Sequence, residues 1–187
     1  MSEVVAYLRR INKELGGVLE AINTQELDSF LDAVTSAGRI ALYGVGREGL
    51  VMRAFAMRLF HLGYNVSVVG DMTAPHLGAG DLLIVSAGPG YFSTVDGLRA
   101  VAQRDDAKVV CLTAQRDGRT PKACDAVLLI PAQTMADDQG AQAASILPMG
   151  SLYELAMFAL FEIMVLELLA RTGKTFGEAR DRHTNLE

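Results

Sequence analysis

The sequence predicts a doubly wound α/β fold, in which helices cover both faces of a parallel sheet. Five short apolar runs, each bounded by glycine or polar residues, have the length of strands, and segments with apolar residues at helical spacing separate most of them. Strands that alternate with helices pair in parallel. Half of the 187 residues are hydrophobic, which is enough for the core of one domain over residues 1–187.

The composition narrows the classes of partner. A formal net charge of -5 gives the chain no general attraction for nucleic acid or anionic lipid. The N-terminal residues carry charges throughout, and no apolar run reaches membrane-spanning length, so we expect a cytoplasmic protein with no membrane partner. Cys111 and Cys124 lack C-x-x-C spacing and a histidine cluster, so we expect free thiols and no metal site.

Two helices precede the first predicted strand. Apolar residues at helical spacing predict the first over residues 3–22, and Thr24 is predicted to cap a second helix that runs through Val34. The apolar stripe of the first helix has no strand of its own to cover. We therefore expect it to pack on a partner subunit or across the domain, and we expect a homo-oligomer.

The next segment joins a strand, a glycine turn and a helix. Ile40–Tyr43 is the predicted strand, Gly44 and Gly46 open the turn, and helical spacing follows from Leu50 to Phe60. Amides at a helix N-terminus lack intrahelical partners, and the helix dipole adds partial positive charge, so such a turn can bind an anion. We take this turn to be one wall of a ligand site.

The other predicted elements follow in order. They are strands over 64–69 and Leu82–Ser86, a helix over 95–101, strands over Lys108–Thr113 and 126–130, a loop over 131–147, a long helix over 151–171 and a short helix from Thr175. The apolar residues of the long helix face nearly all round, so we expect it to be buried in the core or in a subunit interface. Ligands of doubly wound sheets bind where the winding reverses. We therefore expect the loops after Tyr43 and Ser86 to form the ligand site. The 131–147 loop can line or cover that site.

One motif favours a dinucleotide. The run G-V-G-R-E-G at 44–49 matches the fingerprint G-x-G-x-x-G between a strand and a helix, and Asp71 follows the second strand at the distance expected of a ribose-binding carboxylate. The pattern is short, however, and such a turn needs glycines for its own geometry.

Two side chains are candidates for proton transfer. Glu154 stands at the start of the long apolar helix, where partial desolvation would raise its pKa toward the range of a general base. The alternative is structural, because Ser151 and Glu154 match the S-x-x-E capping box. His183 lies close to the C-terminus, where the alternative is a surface residue on a fraying tail.

Three motifs together resemble one family. They are G-V-G-R-E-G-L followed by R-A-F-A-M-R-L-F-H-L-G, then P-M-G-S-L-Y-E, and the terminal R-H-T-N-L-E. Through them nearly the whole chain resembles the 6-phospho-3-hexuloisomerases, members of the sugar isomerase (SIS) domain family. The resemblance implies a three-layer αβα sandwich with a five-stranded parallel sheet and flavodoxin-like winding. The SIS domain would comprise a helical segment (1–37), a sheet core (38–131) and C-terminal helices (148–187).

The resemblance also implies a chemistry. Family members interconvert a 3-ketohexose 6-phosphate and fructose 6-phosphate through an enediol, without a metal or an organic cofactor, in a tetramer with active sites between subunits. Glu154 matches the catalytic carboxylate, His183 the histidine that a neighbouring subunit contributes, and Arg47 the arginine beside the substrate. One carboxylate can move a proton between adjacent carbons while a histidine shuttles the hydroxyl proton.

The chain departs from the family where the phosphate is held. The family has a serine after the arginine and S-G-S-G-x-T after the third strand, whereas this chain has Glu48 and A-G-P-G-Y-F. We expect Glu48 to repel a phosphate dianion by roughly a few kcal/mol at an effective dielectric of about 20. We also expect Pro89 to remove an amide donor, and Glu48 and Tyr91 to contact hydroxyl or amine groups of the ligand. Ser93 has an alternative role as a helix cap, with Asp96 three residues on. The expected substrate-binding residues are Gly46, Arg47, Glu48, Ser86, Ala87, Gly88, Gly90, Tyr91, Ser93 and Thr94.

Three functions stay open at this point. The first is a sugar isomerase that acts on a sugar phosphate through an altered phosphate site, or on a different or unphosphorylated sugar, and the retained Glu154 and His183 favour it. The second is a non-catalytic or regulatory sugar-binding SIS module, favoured by the missing hydroxyls. The third is a dinucleotide-binding protein, favoured by the glycine fingerprint and Asp71.

Overall fold

The computed structural model describes residues 2–140 and 143–186 and has the predicted three-layer αβα architecture. Within these residues the sheet has five strands, all parallel, in the order β2-β1-β3-β4-β5. The predicted fold class and winding are therefore confirmed. The elements in chain order are α1 (Glu3–Glu20), α2 (Thr24–Ser36), β1 (Ile40–Tyr43), α3 (Gly46–His61), β2 (Val66–Val68), β3 (Leu82–Ser86), α4 (Ser93–Arg104), β4 (Lys108–Thr113), α5 (Arg119–Lys122), β5 (Ala126–Leu129), α6 (Ser151–Thr172) and α7 (Phe176–Asp181).

The sheet is covered on both faces. Successive strand residues point to opposite faces, and one face, which includes Leu42 and Ile84, packs against α2, α3 and α6. There Phe55 of α3 stacks on Phe161 of α6 with 4.0 Å between the ring centroids. A smaller core on the other face includes Val85 and packs against α4. Burial on both faces explains why the strands are continuous apolar runs in the sequence.

Some predicted boundaries and caps are wrong. The strand predicted over 64–69 is only Val66–Val68, because the backbone N–H of Tyr64 bonds back to the carbonyl of Leu59 and closes the end of α3. Helix α3 begins four residues earlier than Leu50, and the one-turn helix α5 was not predicted. Thr24 is not the cap of α2: the side chain of Asn23 accepts hydrogen bonds from the first-turn amides instead.

Helices α1 and α6 are among the helices that leave large apolar side chains exposed. On α1, Val4 and Leu8 are both more than half exposed, as the predicted apolar stripe requires. On α6, Phe158 and Leu166 are 46% and 56% exposed, so the core of a single chain covers only part of this helix. The expectation that this face lies in a subunit interface stays a prediction.

The close approach of Gly118 to Gly90 generates a stability prediction. A Cβ on Gly118 would lie 2.5 Å from both the Cα and the carbonyl oxygen of Gly90. We expect Gly118→Ala to lower the free energy of unfolding by about 1–3 kcal/mol, because the backbone must move to accept the methyl group. Urea denaturation measures this loss.

Gly97→Ala is the matched control. Gly97 lies inside α4, and a Cβ there meets no atom within 4 Å, so alanine should stabilise the protein by about 0.5–1 kcal/mol. Equal unfolding midpoints for Gly118→Ala and the wild type would contradict the close packing of Gly118 against Gly90.

Candidate active site

The two loops predicted to bind the ligand lie side by side. β1 and β3 are neighbours in the sheet, with Tyr43 paired to Val85, so the loops that follow them leave the same edge. At this point the strand order reverses, because β2 lies on one side of β1 and the remaining strands lie on the other. The structure therefore brings the first turn of α3 and the loop after β3 together at the position where such sheets bind ligands.

The glycines of the dinucleotide fingerprint have structural roles. A Cβ on Gly49 would lie 2.5 Å from the carbonyl oxygen of Gly44, and Gly46 has a φ of 58°, which favours glycine. Asp71 pairs with Arg53 on the surface, at 3.5 Å. Backbone packing and a surface ion pair thus account for the motif and weaken the dinucleotide alternative.

Glu48 lies in the first turn of α3 and turns inward. It is 8% exposed, and its Oε2 accepts hydrogen bonds from Ser86 Oγ at 2.5 Å and from the backbone N–H of Gly88 at 3.1 Å. Burial raises the pKa of Glu48, and the hydrogen bonds from Ser86 and Gly88 oppose that effect. The carboxylate is thus bound by the loop that was expected to bind the ligand. Direct contact between Glu48 and a ligand stays a prediction.

The space around Glu48 is full. Tyr153 of α6 is fully buried, and its hydroxyl lies 3.1 Å from Ser86 Oγ. A Cβ on Gly88 would lie 2.8 Å from Glu48 Oε1 and 2.9 Å from the Tyr153 ring. Only glycine fits at position 88 while these two side chains keep their places.

Glu154 lies beside Arg47. The Glu154 side chain is 12% exposed, and its Oε2 is 3.0 Å from Arg47 Nε. That oxygen is buried, and no hydrogen-bond donor of the described residues is aligned with it, so the contact is an ion pair without hydrogen-bond geometry. Burial raises the pKa of Glu154, and the positive charge of Arg47 opposes the shift. A partly desolvated carboxylate next to a guanidinium is suited to proton transfer.

The capping alternative for Glu154 is wrong. The N-cap of α6 is Gly150, with a φ of 73° and no side-chain cap. Ser151 is already helical, and its hydroxyl accepts a hydrogen bond from Arg47 Nη1 at 3.0 Å. Ser151 and Glu154 therefore both face Arg47 instead of capping the helix.

The structure does not bring His183 of the same chain to Glu154. The His183 ring lies 5.1 Å from the ring of His61, between centroids, at the C-terminal end of α3. Arg47, which contacts Glu154, lies on α3 fourteen residues before His61. This separation corresponds to about 21 Å along the helix axis. A contribution of His183 to the site of a neighbouring subunit stays a prediction.

The second half of the loop after β3 ends at α4. Ser93 and Thr94 are exposed in its first turn, and the N-cap is Phe92, without a side-chain hydrogen bond. The predicted capping role of Ser93 is therefore wrong. Asp96 pairs instead with Arg99 at 3.0 Å and with Arg119 at 3.3 Å.

Three residues of this region are not among the predicted site residues. Tyr153 packs under the loop, Ser151 contacts Arg47, and the guanidinium of Arg119 lies 5.1 Å from the centroid of the Tyr91 ring. The P-M-G-S-L-Y-E motif contains the first two, but their contacts depend on how α3 and α6 pack. No sequence signal marks Arg119, because Gly118 and Gly90 approach each other only in the folded chain.

The described part of the 131–147 loop is tied to its surroundings. Glu14 of α1 accepts a hydrogen bond from Ser145 Oγ at 2.6 Å, and Asp138 accepts one from the backbone N–H of Met149 at 3.0 Å. Two residues of the loop lie outside the described part. The loop therefore connects α1 to the start of α6, the helix that carries Glu154.

Residues 2–140 and 143–186 contain neither a candidate metal site nor a candidate membrane span. In those residues no group of three or more His, Cys, Asp or Glu side chains is placed to hold a metal ion. Cys111 and Cys124 are free thiols. No helix of the described part has the length and apolarity to cross a bilayer.

Comparisons with known proteins show similarity to one domain family over most of the chain. The family model of the SIS domain matches residues 33–159. The 3-hexulose-6-phosphate isomerase of Bacillus subtilis is 31% identical over 181 residues, which cover 97% of each chain. The protein of the same name from Methylomonas aminofaciens is 36% identical over 160 residues, covering 86% of this chain and 87% of that one.

A solved structure shows the same fold over nearly the full length. It is a hypothetical protein of Methanococcus jannaschii, for which a molecular function of 3-hexulose-6-phosphate isomerase was inferred. The two structures superimpose with a TM-score of 0.84 at 26% identity, covering 96% of this chain and 98% of the other.

The buried carboxyl of Glu48 predicts a pH dependence of stability. Its pKa is raised in the folded chain, whereas the unfolded chain has the ordinary value of about 4.3. The folded state therefore retains the proton to higher pH, and stability falls as pH rises from about 4.3 to the raised folded value. The variant Glu48→Gln has no carboxyl group at this position and does not lose stability in this way. We therefore expect the difference in unfolding free energy between Glu48→Gln and wild type to rise as the pH rises from about 4.3 to the folded-state pKa. The rise should be about 1.4 kcal/mol per unit of pKa shift.

Urea unfolding from about pH 4 to about pH 7 measures this difference. Glu20→Gln, at the exposed end of α1, is the control and should give a curve parallel to wild type. A parallel curve for Glu48→Gln would contradict the burial of this carboxyl.

Proposed function

We propose that this chain, which belongs to the SIS domain family, is a sugar isomerase that moves a carbonyl between adjacent carbons of a ketose through an enediol. The observation that carries this proposal is the partly desolvated Glu154 carboxylate beside Arg47, at the edge of the sheet where the winding reverses. Relatives that cover nearly the whole chain and are named 3-hexulose-6-phosphate isomerase support it.

Glu154 performs the proton transfer between carbons in this proposal. Its carboxylate removes a proton from the carbon next to the carbonyl, and the electron pair of that C–H bond moves to give an enediolate. The same oxygen then returns the proton to the adjacent carbon. Desolvation makes the carboxylate a stronger base, and the charge of Arg47 keeps it ionised.

Arg47 stabilises the charge that develops on the sugar oxygen. Its side chain is 64% exposed and already bonded to Ser151 and paired with Glu154, so its remaining N–H groups are available to a ligand. A positioned cation contributes most where negative charge appears in the transition state. This role uses the positive charge without requiring Arg47 to lose a proton.

His183 of a neighbouring subunit moves the hydroxyl proton between the two sugar oxygens. The separation of His183 from Glu154 within one chain supports a contribution in trans. The exposed apolar residues of α1 and α6 offer a surface for the necessary subunit contact. The proposed assembly is a homotetramer with active sites between subunits, as in the family that the chain resembles.

The sugar itself is proposed to be a ketohexose or a derivative of one. The relatives named above carry 3-hexulose 6-phosphate in their names, but the loop after β3 differs here. The exposed Tyr91, Ser93 and Thr94 are the groups of this loop proposed to contact the ligand. A non-catalytic sugar-binding module is the second candidate, because the first half of the loop uses its donors internally.

Proton exchange tests the catalytic role of Glu154. Incubation with fructose 6-phosphate or fructose in deuterated water should replace one carbon-bound hydrogen, and proton NMR follows its loss. We expect Glu154→Gln to lower the exchange rate by about 10²–10⁴-fold, because the base is removed. Its unfolding midpoint should stay near that of wild type, because Glu154 does not cap α6.

Glu162→Gln is the control, since this glutamate lies two turns later on α6 and pairs with Arg58 on the surface. Exchange by Glu154→Gln at the wild-type rate would end the assignment of Glu154 as the base. Sugar binding by wild type without any exchange would favour the non-catalytic module.

Mixing two inactive variants tests the contribution of His183 in trans. Glu154→Gln and His183→Ala should each be inactive alone. After unfolding and refolding together at equal concentration, about one quarter of the sites should combine an intact glutamate and an intact histidine from different subunits. Recovery of that fraction of the exchange activity supports the proposal. No recovery in a mixture that contains mixed oligomers contradicts it.

A further inference from the structure

We infer that Glu48 is a specificity-determining residue: its carboxylate occupies the anion-binding donors of the loop after β3, so that this loop does not receive the phosphate of a sugar. The inference rests on the proposed function for the class of ligand, a sugar. It concerns which end group the site accepts and does not depend on which residue moves the proton.

The first argument is that every hydrogen-bond donor at the start of the loop is already used. Ser86 Oγ and the backbone N–H of Gly88 both donate to Glu48 Oε2. The N–H of Ala87 donates to a carbonyl of β4, and that of Gly90 donates to Ala87 at 2.8 Å. Pro89 has no N–H. An incoming phosphate would find no free donor over residues 86–90 unless Glu48 left.

The second argument is that Glu48 fills the space as well as the hydrogen bonds. Its Oε1 and the Tyr153 ring both lie within 3.0 Å of the position of a Cβ on Gly88. Tyr153 is fully buried and its hydroxyl is held near Ser86, so the ring cannot move aside cheaply. No room for a phosphate group remains beneath the loop while the carboxylate is in place.

The third argument concerns charge. A carboxylate bound by two donors at 2.5 Å and 3.1 Å satisfies the groups that would otherwise bind a ligand anion. A second anion at the same place would lose these hydrogen bonds and meet the like charge of Glu48. The part of the sugar that lies against residues 86–90 is therefore neutral, such as a hydroxyl-bearing carbon.

The experiment compares binding of fructose 6-phosphate, fructose and inorganic phosphate by isothermal titration calorimetry. Glu48→Ser frees both donors and opens space. We expect it to bind fructose 6-phosphate and inorganic phosphate at least about tenfold more tightly than wild type, because two hydrogen bonds to a charged acceptor become available. The ratio of the affinity for fructose 6-phosphate to the affinity for fructose should therefore rise by at least about tenfold over that of wild type.

Glu48→Gln is the matched control. It removes the charge but keeps the size of the side chain, so the space and the Gly88 amide stay occupied. We expect no gain in phosphate affinity beyond about threefold. A gain equal to that of Glu48→Ser would show that charge alone excludes phosphate, and it would overturn the inference that the side chain occupies the site.

Wild-type protein provides an independent test if Glu48→Ser does not fold. We expect its affinities for fructose 6-phosphate and fructose to differ by less than about threefold. Tighter binding of fructose 6-phosphate by wild type, or no gain in Glu48→Ser, would overturn the inference. Failure of the proposed isomerase would appear as absent proton exchange, and the phosphate affinities of the variants would still decide the role of Glu48.

Discussion

The hydrogen bonds from Ser86 and Gly88 to Glu48 are the interaction on which the arrangement of the site depends. They join the first turn of α3 to the loop after β3, across the point where the winding of the sheet reverses. A buried carboxylate is costly unless it accepts hydrogen bonds, so the loop must keep these donors aimed inward. The same requirement fixes glycine at position 88, where Tyr153 closes the remaining space.

A second constraint places the groups proposed for catalysis. α3 and α6 pack side by side on one face of the sheet, with Phe55 stacked on Phe161. Their N-terminal ends therefore lie together, and Arg47 and Glu154 meet at 3.0 Å although more than a hundred residues separate them in sequence. The apolar packing of two helices thus determines the geometry of an ion pair at their ends.

The fold could be predicted from the sequence, but the side-chain contacts of the candidate site could not. Continuous apolar runs indicated all five strands of the described residues, although the bounds of β2 were wrong, because a sheet covered on both faces needs such runs. The motif containing Glu154 was found, but its capping interpretation failed because Gly150 in a left-handed conformation starts α6 instead. The inward turn of Glu48 depends on Tyr153 and Gly88, which come from distant segments, and no local pattern encodes such an arrangement.

The hydrogen bonds of the 131–147 loop have a mechanical consequence. Glu14 holds Ser145, Asp138 holds the backbone of Met149, and Gly150 then begins the helix that carries Glu154. Helix α1, which contains no proposed catalytic group and packs against α6, therefore supports the position of the proposed base. Shortening α1 would remove these contacts and disturb the position of Glu154 without changing any residue proposed to touch the ligand.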